Sequence, residues 1–387
     1  MKSLGLRDYR LGLGTGVGRM DPSFGPAGLG YLKIAESSNQ AYFLDMVPVG
    51  NDVATLGDTY LSRFDASGNL VSSFGTGGKV DVLAAMGGRA TSLGVQADGK
   101  LVVAAPSITT PYPWIVARFN PDGSLDGTFG TNGVVQVAVG GTRNSARPAG
   151  IGFYQDGASQ DIIVAGHAGG LTEQVGIIRL NADGTLDPAF GSGGIVFEDG
   201  GLAPLMLAVQ PDGRVLVGNA SQLRRYTTSG TRDATFGASG LVSYPLSNVL
   251  KIRLLNDGDI MAVGVNGNDA LAIRLNPGGS LNGSFGTGGY ATYDFGLPDR
   301  FQDVREDAQG RLVIAGYQRT GAGRYDQLVV RMSANGVLDA GFAVGGYLLE
   351  GILDDARAVL LDSQGRIIVG GQGRNAFGLH ISRHLPN

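Results

Sequence analysis

An arginine standing eleven residues before a phenylalanine recurs along the chain, and that spacing limits the possible folds more than any other feature. The pairs are Arg63/Phe74, Arg118/Phe129, Arg179/Phe190, Arg225/Phe236, Arg274/Phe285 and Arg331/Phe342, with Phe24 leading and Arg383 closing the series. Successive phenylalanines lie 50, 55, 61, 46, 49 and 57 residues apart, so length variation falls in loops. A unit of this size cannot bury its own hydrophobic faces and must stack on its neighbours. The repeat therefore overrides the two or three domains that 387 residues would otherwise suggest.

The second repeat predicts four short strands, at Lys79–Leu83, Ala90–Gln96, Lys100–Ala105 and Trp114–Phe119. Thr91, Leu93 and Val95 alternate with smaller or polar residues as in a half-buried strand, whereas Lys100–Ala105 reads as the short apolar run of a strand covered on both faces. Asp98-Gly99 between them predicts a hairpin with a type I′ turn, in which both turn residues have positive φ. The signal returns at Asp156-Gly157, Asp212-Gly213, Asp257-Gly258, Gln309-Gly310 and Gln364-Gly365, and is worn down to Ser38-Asn39-Gln40 in the first repeat. No stretch keeps a helical period with caps, so almost no helix is expected.

Seven units of four short strands fit radial repetition better than a sandwich, or than a linear solenoid with its distinct capping units. The expectation is an all-β, seven-bladed β-propeller of four-stranded antiparallel blades. Residues 20–387 form its single domain, and residues 1–19 an extended segment at a sheet edge or at the closure. Contact between this N-terminal segment and the C-terminal strand Phe377–Arg383 closes the ring. The alternating glycines of Leu11–Gly18 are not a dinucleotide fingerprint, because the sixth position lacks glycine and no strand or helix flanks them.

Lys+Arg number 30 and Asp+Glu 34, and the net charge of -4 leaves no basic footprint for nucleic acid or an anionic membrane; neither is an expected partner. The chain has no cysteine, which rules out disulfides, thiolate metal sites and a Cys nucleophile. No apolar run approaches the ~20 residues of a membrane helix. Arg7, Asp8 and Arg10 interrupt what would be the apolar part of a Sec signal peptide, so none is expected.

The stretch Arg118-Phe-Asn-Pro-Asp-Gly-Ser-Leu-Asp-Gly-Thr-Phe129-Gly130, with Val95-Gln-Ala-Asp-Gly-Lys-Leu-Val-Val-Ala104 upstream, resembles the bacterial and phage delta-60 repeat family. The resemblance spans residues 20–385, and Val71 and Asn282 depart from its pattern at the second Asp. It implies a β-propeller of a kind often found in large surface or secreted proteins, and it brings no catalytic residue with it.

The repeated turn looks like a calcium loop with one change. Asn181, Asp183, Gly184 and Asp187 follow the Asx-rich scheme, but Arg179 stands at the first ligand position. A guanidinium presents a planar fork of donors that can satisfy a carboxylate and backbone carbonyls together. Each repeat arginine is therefore expected to reach across its turn to the Asp eight residues on, as Arg118/Asp126, Arg179/Asp187, Arg225/Asp233 and Arg331/Asp339. No metal or cofactor is expected. His167, His380 and His384 are the only histidines, and no nucleophile elbow accompanies them, so no catalytic set is predicted.

Alternate connections of an up-and-down blade emerge on opposite faces of the ring. One face is stereotyped, carrying the Asp-Gly hairpins and the Phe-Gly turns. The other varies: its loops are long at Val49–Asp58, Pro106–Pro113, His167–Gln174 and Gln318–Asp326, and short near Asn219–Gln222 and Asn266–Asn268. Gly140–Pro148 and Phe295–Arg300 add to the same face. Function tends to sit on variable loops held by a rigid scaffold. The candidate binding residues there are Tyr112, Trp114, Arg143, Arg147, His167, Arg300, Arg319, Arg324 and Tyr325, rich in the aromatic and arginine side chains of interface hot spots. The expected function is a non-catalytic docking or structural module in a larger surface assembly, on a bacterial cell or in a virion such as a phage tail, with other proteins as partners. The alternative is a secreted propeller that binds or cleaves carbohydrate, stacking Tyr112 and Trp114 on the sugar rings of a surface glycan.

Overall fold

The computed structural model describes residues 18–35, 42–139, 146–157, 159–169, 174–199, 206–244, 248–321, 324–351, 355–372 and 378–386. They form seven four-stranded antiparallel sheets. Blade 1 comprises Phe43–Val49, Asp52–Gly57, Tyr60–Phe64 and Lys79–Asp81, and blade 2 comprises Ser92–Val95, Leu101–Pro106, Trp114–Phe119 and Val134–Val137. Blade 3 is built from Arg147–Asp156, Ser159–His167, Gln174–Leu180 and Ile195–Asp199, and blade 4 from Met206–Val209, Val215–Gly218, Gln222–Tyr226 and Leu241–Ser243. Blade 5 follows with Val249–Leu254, Ile260–Asn266, Asp269–Leu275 and Tyr290–Tyr293, and blade 6 with Asp299–Glu306, Leu312–Gly321, Arg324–Met332 and Tyr347–Glu350. Blade 7 takes Asp355–Leu361, Ile367–Gln372 and Gly378–His384 from the C-terminal end, and its outermost strand, Tyr31–Ala35, from the N-terminal end.

That fourth strand closes the ring, with Tyr31 opposite Ser382 and Ile34 opposite Leu379. Upstream of it, Met20 bridges to His384, and the Asp21 N–H donates to the Arg383 carbonyl at 2.7 Å. The closing strand is thus residues 31–35, while residues 1–17 lie outside the described residues.

The hydrophobic core is divided into wedges between adjacent blades. Phe74 packs with Leu101 and Phe119 between blades 1 and 2, and Phe129 with Trp114 and Val164 between blades 2 and 3. Phe24 and Leu32 fill the seam between blades 7 and 1. The repeat phenylalanines are at most 2% exposed. Removing such a ring costs about 3–5 kcal/mol, so each one binds a blade to its neighbour.

The phase of the repeat differs from the sequence reading. Lys79–Asp81 is the outermost strand of blade 1 rather than the start of the next unit. It stops at Asp81 because that side chain accepts from the Ala84 N–H at 2.9 Å and caps a single helical turn, Val82–Met86. In blade 1, Asp52–Gly57 is a strand, so Val49–Asp58 is no long loop and the hairpin sits at Gly50-Asn51; residues 38–40 lie outside the described residues. Outside blade 3, where Asp156 pairs directly with Ser159, the Asp-Gly and Gln-Gly hairpins are not type I′. Gly99 has φ +83° while Asp98 does not adopt positive φ, and the Gln96 N–H donates to the Lys100 carbonyl. This is a type I turn closed by a glycine bulge, held by the Asp98 carboxylate accepting from the Lys100 N–H at 3.1 Å.

Candidate functional site

The two faces of the ring are built on different principles. On the basal face, where the Asp-Gly hairpins lie, the Arg-to-Phe turn is a closed structural unit. The Asp126 N–H donates back to the Arg118 carbonyl, and the Asp122 carboxylate accepts from both the N–H and the hydroxyl of Ser124. Gly123, at φ +87°, cannot carry a side chain, since a Cβ would stand 2.8 Å from the backbone nitrogen of Gly75 in the preceding blade.

Inside this turn Arg118 uses its whole fork. Its Nε donates to Asp126 Oδ2 at 2.8 Å and its Nη1 to the Ala182 carbonyl of blade 3 at 2.5 Å, while its plane lies 4.5 Å from the centre of the Phe129 ring. The eleven-residue spacing is therefore the distance at which the guanidinium covers its own phenylalanine. Burial pushes the Asp126 carboxyl up, but hydrogen bonds from Thr128 and Lys100 and the charge of Arg118 outweigh it and hold the group well below the usual carboxylate range.

The same reach to the next blade repeats around the circle. Arg63 donates to the Pro121 carbonyl at 2.7 Å, Arg179 to Thr228 at 2.7 Å, Arg225 to Pro277 at 2.6 Å and Arg274 to Ala334 at 2.7 Å. Arg331 bonds the Pro386 carbonyl, and Arg383 returns to the Ala66 carbonyl of blade 1. Arg225 and Arg331 meet Asp233 and Asp339 at 2.8 and 2.7 Å, Arg179 meets Asp187, and Arg383 takes Asp21 at 2.8 Å.

Where the turn lacks its Asp, the carboxylate comes from elsewhere. Val71 and Asn282 stand at that position in blades 1 and 5, and Arg63 instead meets Asp52 at 2.9 Å while Arg274 meets Asp259 at 2.7 Å. Both lie at one place, two residues before the strand partner of the arginine. Blades 2, 4, 6 and 7 carry a cation there, and Lys100, Arg214, Arg311 and Arg366 each approach the turn carboxylate at 3.0, 3.0, 3.5 and 3.5 Å. Blade 3 alone has acids at both places: Asp161 is 3.7 Å from Arg179, which already holds Asp187. Burial, with a smaller push from Asp156 and Asp187, raises the Asp161 carboxyl against the charge of Arg179.

The opposite, upper face carries the candidate binding residues, and the structure separates them. Trp114 is fully buried in the wedge between blades 2 and 3, because its strand is covered on both faces. It cannot stack on a ligand, and an aromatic at the head of an unbroken apolar run was the signal for that. Tyr112 is half-buried in the preceding loop, at φ +58°. Arg147 is exposed and sits opposite half-buried His167 at the upper edge of blade 3; Arg143 lies outside the described residues. The remaining four residues come together on blade 6. There the strands Leu312–Gly321 and Arg324–Met332 run on into what the sequence suggested was a loop, projecting a long hairpin. Arg319 and Arg324 are exposed at its tip, the rings of Tyr317 and Tyr325 meet edge-on at 4.7 Å, and the Arg300 guanidinium lies 5.0 Å from the centre of the Tyr317 ring.

Sequence reasoning also missed a group of charges on the innermost strands. Asp303, with no exposed surface, is held by Arg253 through two bonds of 2.9 and 3.1 Å and by Arg305 at 3.1 Å. Across the ring, Lys251 of blade 5 lies 3.6 Å from Asp45 of blade 1. Burial alone would raise the Asp303 carboxyl, but Arg253, Arg305 and Lys251 hold it well below its ordinary value. It is thus an anion locked between cations, unsuited to act as the proton-donating half of a glycosidase acid pair. Charges two residues apart on two successive innermost strands, Lys251/Arg253 and Asp303/Arg305, were the available signal.

Residues 96–129, 161–190, 210–236 and 309–342, less than half of the chain, match a family described as "Domain of unknown function (DUF5122) beta-propeller". No curated protein matches the chain. Among solved structures, BBS1N in complex with ARL6DN is similar at 13% identity and a TM-score of 0.52, over 92% of this chain and 97% of that one. A protein of unknown function from Bacteroides caccae is similar at 12% identity and a TM-score of 0.44, over 81% of this chain and 94% of that one. At such identities the likeness concerns the fold. The chain is a seven-bladed β-propeller whose repeats are similar to those of a β-propeller family of unknown function.

Proposed function

We propose that this propeller is a non-catalytic docking module, which offers the blade 6 hairpin of its upper face to an acidic surface on another protein of a larger surface assembly, on a bacterial cell or in a virion. The observation that carries the reading is the contrast between the faces. On the basal face the charged groups are spent on one another, each repeat arginine bound to a carboxylate and to a neighbouring carbonyl. On the upper face Arg319 and Arg324 stand exposed beside a tyrosine pair and Arg300, a compact group of the residue types that dominate interface energetics. Three cations so close together favour a partner of opposite charge and speed its encounter. The carbohydrate alternative loses its main support with the burial of Trp114.

A photo-reactive residue in place of Arg319, compared with one in place of exposed Gln364 on the basal face, tests this in cells that produce the protein. The expected result is one dominant protein adduct from position 319, lost when Arg300 and Arg324 are replaced by Ala. Equal adducts from both positions, or none from either, would overturn the proposal.

A further inference from the structure

The innermost strands enclose a cavity of about 390 Å³ on the ring axis, with a wall divided by chemistry. One arc, from blades 5 and 6, presents Lys251, Arg253 and Arg305; the opposite arc presents half-buried Ile151, Phe153 and Leu207 from blades 3 and 4. The cationic arc is under-neutralised. Arg253 and Arg305 share the single carboxylate of Asp303, both contacting its Oδ1, and among the described residues Lys251 forms an ion pair only with Asp45, at 3.6 Å. Arg305 shows the consequence: burial and the neighbouring Arg253 charge weaken its hold on its proton more than Asp303 strengthens it. Among the described residues Arg253 Nη1, Arg305 Nε and Arg305 Nη2 have no protein acceptor, and about a quarter of each of these two side chains faces the cavity. The Ser92 hydroxyl, on a residue 4% exposed in the same wall, also has no hydrogen-bond partner among them.

We infer that the axial cavity is a binding site for a small organic carboxylate, its anionic head on Arg305, Arg253 and Lys251 and its apolar body against Ile151, Phe153 and Leu207. A cavity of this size takes a small metabolite, and unused guanidinium donors on its wall are poised for charge-assisted, bidentate bonds to a carboxylate. Asp45 is the built-in competitor, since it stands on Lys251 where the ligand head would approach. The site is independent of the upper-face hairpin and of any partner bound there.

Ligand-observed NMR on the full chain, titrating hexanoate against hexanamide, tests the site. The acid is expected to bind while the amide of the same shape does not at equal concentration. Asp45→Asn is expected to tighten hexanoate binding by about threefold or more by removing a fixed negative charge, and Arg305→Gln to weaken it by about tenfold. Arg305→Gln leaves Asp303 paired with Arg253, and Lys251→Met, which removes a different cation, gives a second route should the first variant fail to fold. Equal binding of acid and amide, no binding of the acid at millimolar concentration, or an unchanged affinity in folded Arg305→Gln or Lys251→Met protein would overturn the inference.

Discussion

Asp161→Lys is expected to stabilise the protein, against the usual direction for a substitution at a buried site. In blade 3 one guanidinium, Arg179, faces two carboxylates, while four of the other blades place a cation where Asp161 stands. Asp161 is 3% exposed, and burial raises its carboxyl above the ordinary value. A carboxyl raised in the folded state leaves stability intact below its unfolded value, near pH 4, and removes it as the pH rises and only the unfolded chain ionises. At pH 7 that cost is fully present. A lysine in its place would reach Asp187 as Lys100 reaches Asp126 at 3.0 Å, and Lys100 keeps about a quarter of its side chain in water, which limits its desolvation. Removing the like-charge contact and adding this pair should give about 2 kcal/mol after the entropy of ordering the lysine. The assay is equilibrium urea unfolding followed by the fluorescence of Trp114, the only tryptophan, buried one blade away. A gain of this size moves the midpoint up by about 0.5 M. Asp161→Asn, which removes charge without adding any, should gain about half as much at pH 7 and nothing at pH 3. A midpoint unchanged or lowered by Asp161→Lys at pH 7, or an Asp161→Asn gain that is the same at both pH values, refutes the account.

Arg118→Met should cost about 3 kcal/mol in the same assay, because Asp126 stays buried and the Ala182 carbonyl loses its donor, although Lys100 still reaches Asp126; Arg118→Lys should cost nearly as much, since an ammonium cannot serve both acceptors. A Lys variant as stable as the parent would show that the fork geometry is unimportant. At the blade 6–7 seam Glu350 is buried beside Gln327, Ser382 and His384, and burial pushes its carboxyl up to about 8. Stability is thus lost as the pH climbs from the unfolded value towards 8, while His384, which burial pushes down to about 4, loses it in the opposite direction, as the pH falls below its unfolded value. Glu350→Gln should raise the unfolding midpoint at pH 8 by the equivalent of about 2 kcal/mol and have little effect at pH 4; an equal effect at both pH values would count against it.

Much of the architecture is legible in the sequence because it rests on local, repeated chemistry. The Arg-to-Phe spacing marks a turn that forms within thirteen residues, and its copies count the blades. The offset between sequence unit and blade is not legible, since nothing in Lys79–Asp81 says whether that strand pairs forwards or backwards; it pairs with Tyr60–Phe64. Nor is the acceptor of each arginine's second arm, because a carbonyl such as that of Ala182 belongs to no side chain and lies 64 residues away. Residue type alone does not place Trp114, whose strand is buried on both faces. The axial charges are not legible because their meaning depends on which strands are innermost, and that is settled only by closure of the ring.

Each repeat arginine demands one carboxylate but is indifferent to where in the chain that carboxylate originates. The repeats that match the known family end at Phe129, Phe190, Phe236 and Phe342, and these are the ones whose turn supplies Asp126, Asp187, Asp233 or Asp339. The repeats ending at Phe74 and Phe285 go unmatched, as does the one split across the closure, whose turn keeps Asp21; in the first two the acid has moved to Asp52 or Asp259. Position-by-position comparison therefore undercounts such a ring: a copy can look eroded while its interaction is intact, transferred to a partner on an adjoining strand. In proteins of this kind, blades are better tallied by the pairing of opposite charges across the first hairpin and the turn than by either motif alone.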